Sequence, residues 1–380
     1  MIPLHRPVYE KNEKEYLVSA MEYKTGQTSF CELNEAWLSA YMGQPALMTN
    51  SCTSALELSA ELLQAKQGME VIMPSFTFSS TANAFVKAGL VPVFVDIRKD
   101  TLNLDENKLE AAITDKTVAI VPMHYAGIAC EMDRITEIAE EHKLAVIEDA
   151  AQALGASYKG KKLGSFGAFG CVSFHETKNF SMGEGGALFL KDKDIYNEAV
   201  ICAECGTNRR QLSKGEVVEY TWMEKGTSCL PSELACKFLY PQLLSMDTII
   251  SDRLNSWNYY KESFKEHAEK EWLYVPAVPK GCEHNGHIFY IRVRNRANRD
   301  SLLRYLRQNG VMAAFHYVPL HSSPAGKKYA KFHGVDEVTT IASESLIRLP
   351  LYYGMDMADK EKVVGLVDDW LRQQRKAGLI

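Results

Sequence analysis

Long hydrophobic runs, a basic surplus and a cysteine framework are what this 380-residue chain lacks. No stretch approaches the roughly 18 consecutive apolar residues that a membrane-spanning helix needs, so no membrane association is expected. The opening "MIPLHRPVYEKNEKEYL" holds no apolar segment of the kind that directs secretion. Lys and Arg number 43 against 48 Asp and Glu, a net charge of −5. Without a basic stripe, nucleic acid is not an expected partner. The nine cysteines are odd in number and scattered, which reads as reduced thiols in a cytoplasmic protein. Cys202 and Cys205 form one C-x-x-C, but Cys229 and Cys236 do not supply a second pair at zinc spacing, so no metal is expected. Internal repeats and low-complexity tracts are also missing.

What is present is an ordinary globular composition, 46% hydrophobic and 24% charged, on a chain long enough for two domains. From about residue 45 to 190, short apolar runs alternate with amphipathic stretches. The runs at 70–76, 91–97, 118–125, 144–150, 170–175 and 186–190 read as strands covered on both faces. The stretches 53–66, 78–89, 105–113 and 131–143 read as helices; in the first, Ala55, Leu58 and Leu62 share a face. This rhythm predicts an α/β fold with a mainly parallel sheet and ligands beyond the carboxyl ends of its strands. After about 245 the pattern changes. The stretch 247–272 predicts one long helix, 287–294 a strand, 299–310 a helix stopped by Gly310, 311–319 a further strand, and 356–375 a closing helix. We therefore expect a large domain over 1–245 and a smaller α+β domain over 246–380, with packing of the N-terminal segment on the smaller one as an alternative.

Three stretches carry possible chemistry. In "TNSCTSALE" (49–57) a strand end gives way to small hydroxyl residues, and Ser54-Ala55-Leu56-Glu57 fits a capping box. Free amides there, with Ser51, Thr53 and Ser54, suit a phosphate, or serve only a capped helix. In "VIEDAAQALGA" (146–156) an apolar strand ends in Glu148-Asp149. A buried acid is costly unless paired; a protonated pyridine nitrogen is one partner, and an N-cap role is the other reading. In "SFHETKNFSMGEGG" (173–186) Lys178 follows a strand and precedes a glycine-rich segment. In a partly dry pocket its amine would be a nucleophile for Schiff-base formation; otherwise it is a surface lysine before a turn. Taken singly these signals are weak. Their order, with Asp149 about 95 residues after the helix start and Lys178 about 30 further on, is the layout of a pyridoxal 5'-phosphate (PLP) enzyme with an alternating α/β large domain. Elsewhere, "FHYVPLH" presents His316, Tyr317 and His321 either to a substrate pocket or to packing between domains, and Arg209 either meets an anion or stays solvated.

The segments "SCTSALE", "MPSFTFSSTANAF", "PVFVDI", "VPMHYAG", "EDAAQALGASYKGKKLGSFG", "SFHETKN" and "GEGGA" resemble the DegT/DnrJ-type sugar-nucleotide aminotransferases, PLP enzymes of fold type I. "GTNR", "YTW", "AAFHYVPLH" and "RLPLYY" are most similar to the bacterial dTDP-4-amino-4,6-dideoxygalactose transaminases within that family. The resemblance implies that Lys178 binds the cofactor covalently, Asp149 pairs with the pyridine nitrogen and Gln152 sits beside the ring hydroxyl. It further implies that Thr53, Ser54 and Ser173 hold the phosphate, that Phe78 lies over the ring, and that active sites are shared across a homodimer. The implied reaction moves an amino group from L-glutamate to C4 of a dTDP-4-keto-6-deoxyhexose, as in O-antigen or other glycan biosynthesis.

Two segments depart from the family pattern. Ser228 replaces the asparagine that reaches the partner's phosphate, with Leu230 where arginine is usual, and the N-terminal loop near the nucleotide is replaced by "KTGQTSFCEL" (24–33). The alternatives are the gluco epimer, a 3-keto-sugar aminotransferase, a sugar 3-dehydratase, which would carry histidine in place of Lys178, and a non-catalytic binder of PLP or a sugar nucleotide.

Overall fold

The apolar runs of the first half become strands β1 (Ala46–Thr49), β2 (Glu70–Pro74), β3 (Val91–Val95), β4 (Thr117–Ile120) and β5 (Ala145–Asp149) in the computed structural model, which describes residues 1–9, 13–19 and 28–378. Next come the short β6 (Ser157–Tyr158) and β7 (Lys161–Lys162), then β8 (Phe169–Ser173) and β9 (Gly186–Leu190). The second half adds β10 (Cys282–Glu283), β11 (Phe289–Arg292), β12 (Lys331–Phe332) and β13 (Leu346–Leu349). Eight of these form one sheet in the order β1-β9-β8-β5-β4-β2-β3-β12. Pairings from β8 through β5, β4, β2 and β3 to β12 are parallel, while β9 runs antiparallel to both β8 and β1. The expected fold type I α/β sheet is therefore present.

Period-two alternation divides the strand residues between two cores. Met48, Ile72, Ile120, Val146 and Val172 face one side, with Met132, Ile135 and Ile138 from the helix Met132–Glu141 packed on them. Leu47, Val71, Met73, Ala119 and Ile147 face the other, under Ala55, Leu58 and Leu62 of the helix Cys52–Leu62. Burial on both faces explains why these strands read as continuous apolar runs.

A third core gathers around the antiparallel pair β11 and β13, where Trp257, Phe289, Ile347, Leu306, Val363 and Trp370 are buried together with Ile2. The first residues of the chain are tied there: the Ile2 amide donates to the Gly310 carbonyl (2.8 Å), and Met312 N donates to Ile2 O (2.9 Å). From the same half of the chain, β12 crosses over to form the edge of the large sheet beside β3.

Two local expectations are corrected. The long helix over 247–272 is two helices, Met246–Ser263 and Lys265–Glu269. The backbone leaves helical values at Phe264 (φ −94°, ψ 2°), whose ring is buried in the third core. Residues 311–319 do not form a strand. Val311 makes a single bridge to Ile2 and Ala314 another to Arg348, and the following segment is held by side chains instead. Of the departing loop at 24–33, residues 24–27 lie outside the described residues.

Candidate active site

The carboxyl ends of β2, β4, β5 and β8, with the segment that leaves β1, converge on a cavity of about 580 Å³. A parallel sheet places its free backbone ends and helix starts at this edge, which is why ligands collect there. Among the residues expected from the sequence, Thr53, Phe78, Asp149, Gln152, Ser173, Lys178, His316 and Tyr317 all line it.

The helix after β1 begins at Cys52, three residues earlier than the capping-box reading implies. Ser51, not Ser54, is the cap: its extended backbone (φ −166°, ψ 157°) turns its Oγ to accept from the Ser54 amide at 3.1 Å. Ser54 lies inside the first turn, and its hydroxyl donates to Asn50 Oδ1 at 2.7 Å. The amides of Cys52 and Thr53 and the Thr53 hydroxyl have no partner among the described residues, so the helix start offers unspent donors to an anion. Gly186 closes this corner. A Cβ there would lie 2.5 Å from Cys52 N, so only glycine lets β9 approach the helix start so closely.

Two adjacent acids at the end of β5 have opposite fates. Glu148 is fully buried, and its carboxylate accepts from Gly164 N (2.7 Å), Phe166 N (2.6 Å) and Gly167 N (2.9 Å), with His124 Nε2 at 2.9 Å. Asp149 faces the cavity. Its Oδ2 accepts from Thr81 Oγ1 (2.6 Å) and its Oδ1 from Ala151 N (3.1 Å). A carboxylate has about four acceptor positions, so Asp149 keeps capacity for a donor from a ligand.

Lys178 sits in a turn after β8, its amide donating to His175 O at 2.9 Å. The side chain enters the cavity and makes no hydrogen bond or ion pair among the described residues. Its partial exposure is to this cavity. Burial lowers its pKa below the usual 10.5, Arg348 lowers it further, and Cys52 and Asp149 oppose the shift. The bland reading of this lysine as a solvated surface group does not hold.

The opposite wall comes from the second half of the chain. Gln152 bridges the two: its Oε1 accepts from Ala126 N (2.7 Å) and its Nε2 donates to Tyr317 OH (2.9 Å). Tyr317 stacks on His316, with ring centroids 4.0 Å apart. His316 Nε2 lies 2.6 Å from Arg348 Nη1, and His316 Nδ1 lies 3.2 Å from Tyr125 OH. Burial, then Arg348 and Lys178, holds His316 well below its usual pKa, so its ring is the neutral acceptor that an arginine donor requires.

Four expected residues do not line the cavity. Besides Ser54, Arg209 is exposed and pairs with Glu204 at 3.7 Å. Ser228 makes an antiparallel bridge to Glu204. His321 is spent on Ser75 Oγ (2.7 Å from Nδ1) and Asp336 (3.2 Å from Nε2). Conversely, sequence reasoning missed Thr81, His175, Glu184, His287 and Arg348. For Arg348 a signal existed, since an arginine inside the apolar "LIRLPL" needs a reason. Among the described residues no cluster suited to a metal ion occurs, and no helix is long and apolar enough to cross a membrane.

Comparisons with known proteins agree with this geometry. The DegT/DnrJ/EryC1/StrS aminotransferase family matches residues 9–368. The uncharacterized protein MJ1066 of Methanocaldococcus jannaschii is 35% identical over 348 residues, 88% of each chain. The spore coat polysaccharide biosynthesis protein SpsC of Bacillus subtilis is 32% identical over 345 residues, again 88% of each. Among solved structures, the putative sugar aminotransferase Spr1654 of Streptococcus pneumoniae in its PMP-form superposes with a TM-score of 0.90 at 26% identity, covering 98% of this chain and 100% of its own. Its PLP-form superposes at 0.88.

Proposed function

The chain belongs to the DegT/DnrJ/EryC1/StrS aminotransferase family and is a PLP-dependent sugar aminotransferase; from that premise we propose that it transfers the amino group of L-glutamate to C4 of a dTDP-4-keto-6-deoxyhexose. The products are then dTDP-4-amino-4,6-dideoxy-D-galactose and 2-oxoglutarate. The observation that carries this reading is the unpaired Lys178 amine in one cavity with Asp149, Gln152 and an open helix start. The motifs similar to the 4-amino-galactose transaminases support this choice of substrate and product. SpsC is named as a spore coat polysaccharide biosynthesis protein, and a glycan precursor is in keeping with that.

The residues fit the cofactor. The free amides of Cys52 and Thr53, with the Thr53 and Ser173 hydroxyls, would hold its phosphate. Asp149 would take the N–H of the ring nitrogen, Gln152 would flank the ring hydroxyl, and Phe78, 60% exposed at the cavity edge, would cover one ring face. When bound, PLP supplies an electron sink for the carbanion formed at the amino-bearing carbon. Lys178 Nζ takes the proton from Cα of glutamate and, in the second half-reaction, delivers one to C4 of the sugar. Which sugar face receives that proton decides between the galacto and gluco products. A second copy of the chain completes the site in this reading, with Ser228 directed to the partner. The nine free cysteines suit a reducing cytoplasm.

The purified protein should be yellow, and borohydride should bleach it and fix the cofactor on Lys178. A colourless protein that gains no visible band with PLP sinks the site assignment. NMR of the product from dTDP-4-keto-6-deoxyglucose and glutamate tests the substrate; an amine at C3, or an equatorial one at C4, overturns that choice.

A further inference from the structure

Arg348 is held more firmly than a solvated arginine requires. On β13 it pairs with Tyr290 of β11, and on its other side it exchanges backbone hydrogen bonds with Ala314 (2.7 and 3.3 Å). Clamped between two segments, its guanidinium lines the cavity. Its one side-chain partner is the neutral ring of His316, and its buried Nε has none among the described residues. No carboxylate lies within ion-pair distance of it among them.

Two other poorly exposed arginines are treated differently. Arg210 meets Glu204 at 2.8 Å and Glu35 at 3.1 Å. Arg253 donates to the carbonyls of Gly286, His287 and Leu351. A buried cation with neither an acid nor a set of carbonyls is costly. Its cost falls when an anion enters the cavity beside it.

We propose that Arg348 binds the α-carboxylate of the amino-acid donor, with His316 as the positioning residue that fixes the guanidinium. The assignment rests on the aminotransferase reading above, in which an amino acid enters this cavity. Both substrates carry an anion, but at different distances from the reacting atom. The α-carboxylate sits on the very carbon that bears the amine, next to Lys178. The sugar diphosphate hangs from C1, across the hexose ring from C4 and toward the mouth of the cavity. Arg348 is on the Lys178 side of the cavity: it is near enough to oppose the Lys178 charge, and it joins Gln152 through His316 and Tyr317. His316 accepts from Arg348 with Nε2, which leaves Nδ1–H to donate to Tyr125 OH and sets the ring orientation.

The test uses holoenzyme with Arg348→Gln and Arg348→Lys, both checked for a normal cofactor band and melting temperature. Binding of 2-oxoglutarate to the aminated form and of thymidine diphosphate to the same form is measured by calorimetry. Loss of one partner of a buried charged contact predicts 2-oxoglutarate affinity about 30-fold weaker or worse in Arg348→Gln, less in Arg348→Lys, and thymidine diphosphate within about threefold in both. His316→Gln should show an intermediate loss confined to 2-oxoglutarate. Unchanged 2-oxoglutarate binding in Arg348→Gln, alongside a wild-type protein that glutamate bleaches, would overturn the role of Arg348 alone. A loss confined to thymidine diphosphate would assign Arg348 to the sugar instead. If wild-type protein neither reacts with an amino acid nor binds a carboxylate, the donor reading and the Arg348 assignment both fall.

Discussion

The two walls of the cavity are built on different principles. One is made of sheet ends: Thr53, Asp149, Ser173 and Lys178 each lie within five residues of the carboxyl end of a strand. The other is made of His316, Tyr317 and Arg348, brought together from an irregular segment and from β13. On the first wall the backbone does the positioning, and each residue is independent of the next. On the second, side chains position one another in a line from Gln152 through Tyr317 and His316 to Arg348. In the function proposed above, bond-making falls to the first wall and recognition of what enters to the networked one.

The largest effect expected on the rigid wall is at Lys178. Lys178→Ala should abolish turnover by more than the roughly 10²–10⁴-fold that acid–base catalysis alone contributes, because in the proposed function the covalent anchor goes as well. Assay of both half-reactions checks it, and residual activity within about 10²-fold of wild type would remove Lys178 from the chemistry. The depressed pKa adds a pH signature in the cofactor-free protein. Folding disfavours the charged amine, so the group costs stability below its unfolded pKa, and this cost disappears as pH rises through 10.5. Lys178→Met should therefore melt higher than the parent at neutral pH, with the gap closing toward alkaline pH.

The next pair separates function from support within one dipeptide. Asp149→Asn keeps an oxygen for Thr81 but loses the charge, and should lower kcat by about 10²-fold or more, as loss of a charge-stabilising group does, with little change in melting. Glu148→Gln leaves the cavity untouched but weakens bonds to three amides and His124. It should cost about 1.5–3 kcal/mol of stability, read by denaturant titration. The reverse outcome would mean that the acids had been assigned to the wrong faces. Smaller again is Gly186→Ala, whose Cβ would press on Cys52 N. Overpacking of this kind costs about 1–3 kcal/mol, and cofactor affinity should fall with it because the helix start moves.

The contrast between the walls also explains what could be read from the sequence. The strands of the first half announce themselves because burial on both faces makes them continuous apolar runs, and a motif at a strand end inherits its position from the strand. Lys178 and Asp149 were legible for that reason. The cap was misplaced by three residues because Ser51 and Ser54 satisfy the same composition rule, and only the backbone turn at Ser51 decides between them. The second wall had no such support. Residues 311–319 look like a strand, but β11 already occupies one side of Arg348's ladder and the N-terminal segment takes Val311. Tertiary pairing, not local pattern, left His316 and Tyr317 on an irregular backbone. Arg348 could be noticed as an anomaly in an apolar run, but nothing local says that it meets His316.

His316 and His321 sharpen this last point, since they share one short motif and differ only in what surrounds them. His321 ties β2 to the later half of the chain: its ring bridges Ser75 and Asp336, and its amide donates to Ser75 Oγ at 3.1 Å. Both ring nitrogens and the amide are engaged with structure, and the residue does not line the cavity. His321→Gln should therefore lower stability by about 1 kcal/mol, the net worth of a typical hydrogen bond, and leave kcat/KM for both substrates within about threefold. His316→Gln should do the opposite, sparing the melting temperature and weakening the donor. A tenfold loss of kcat/KM in His321→Gln at unchanged melting would extend the recognition wall by one turn of the chain, and the boundary between support and recognition would have to be redrawn beyond Pro319.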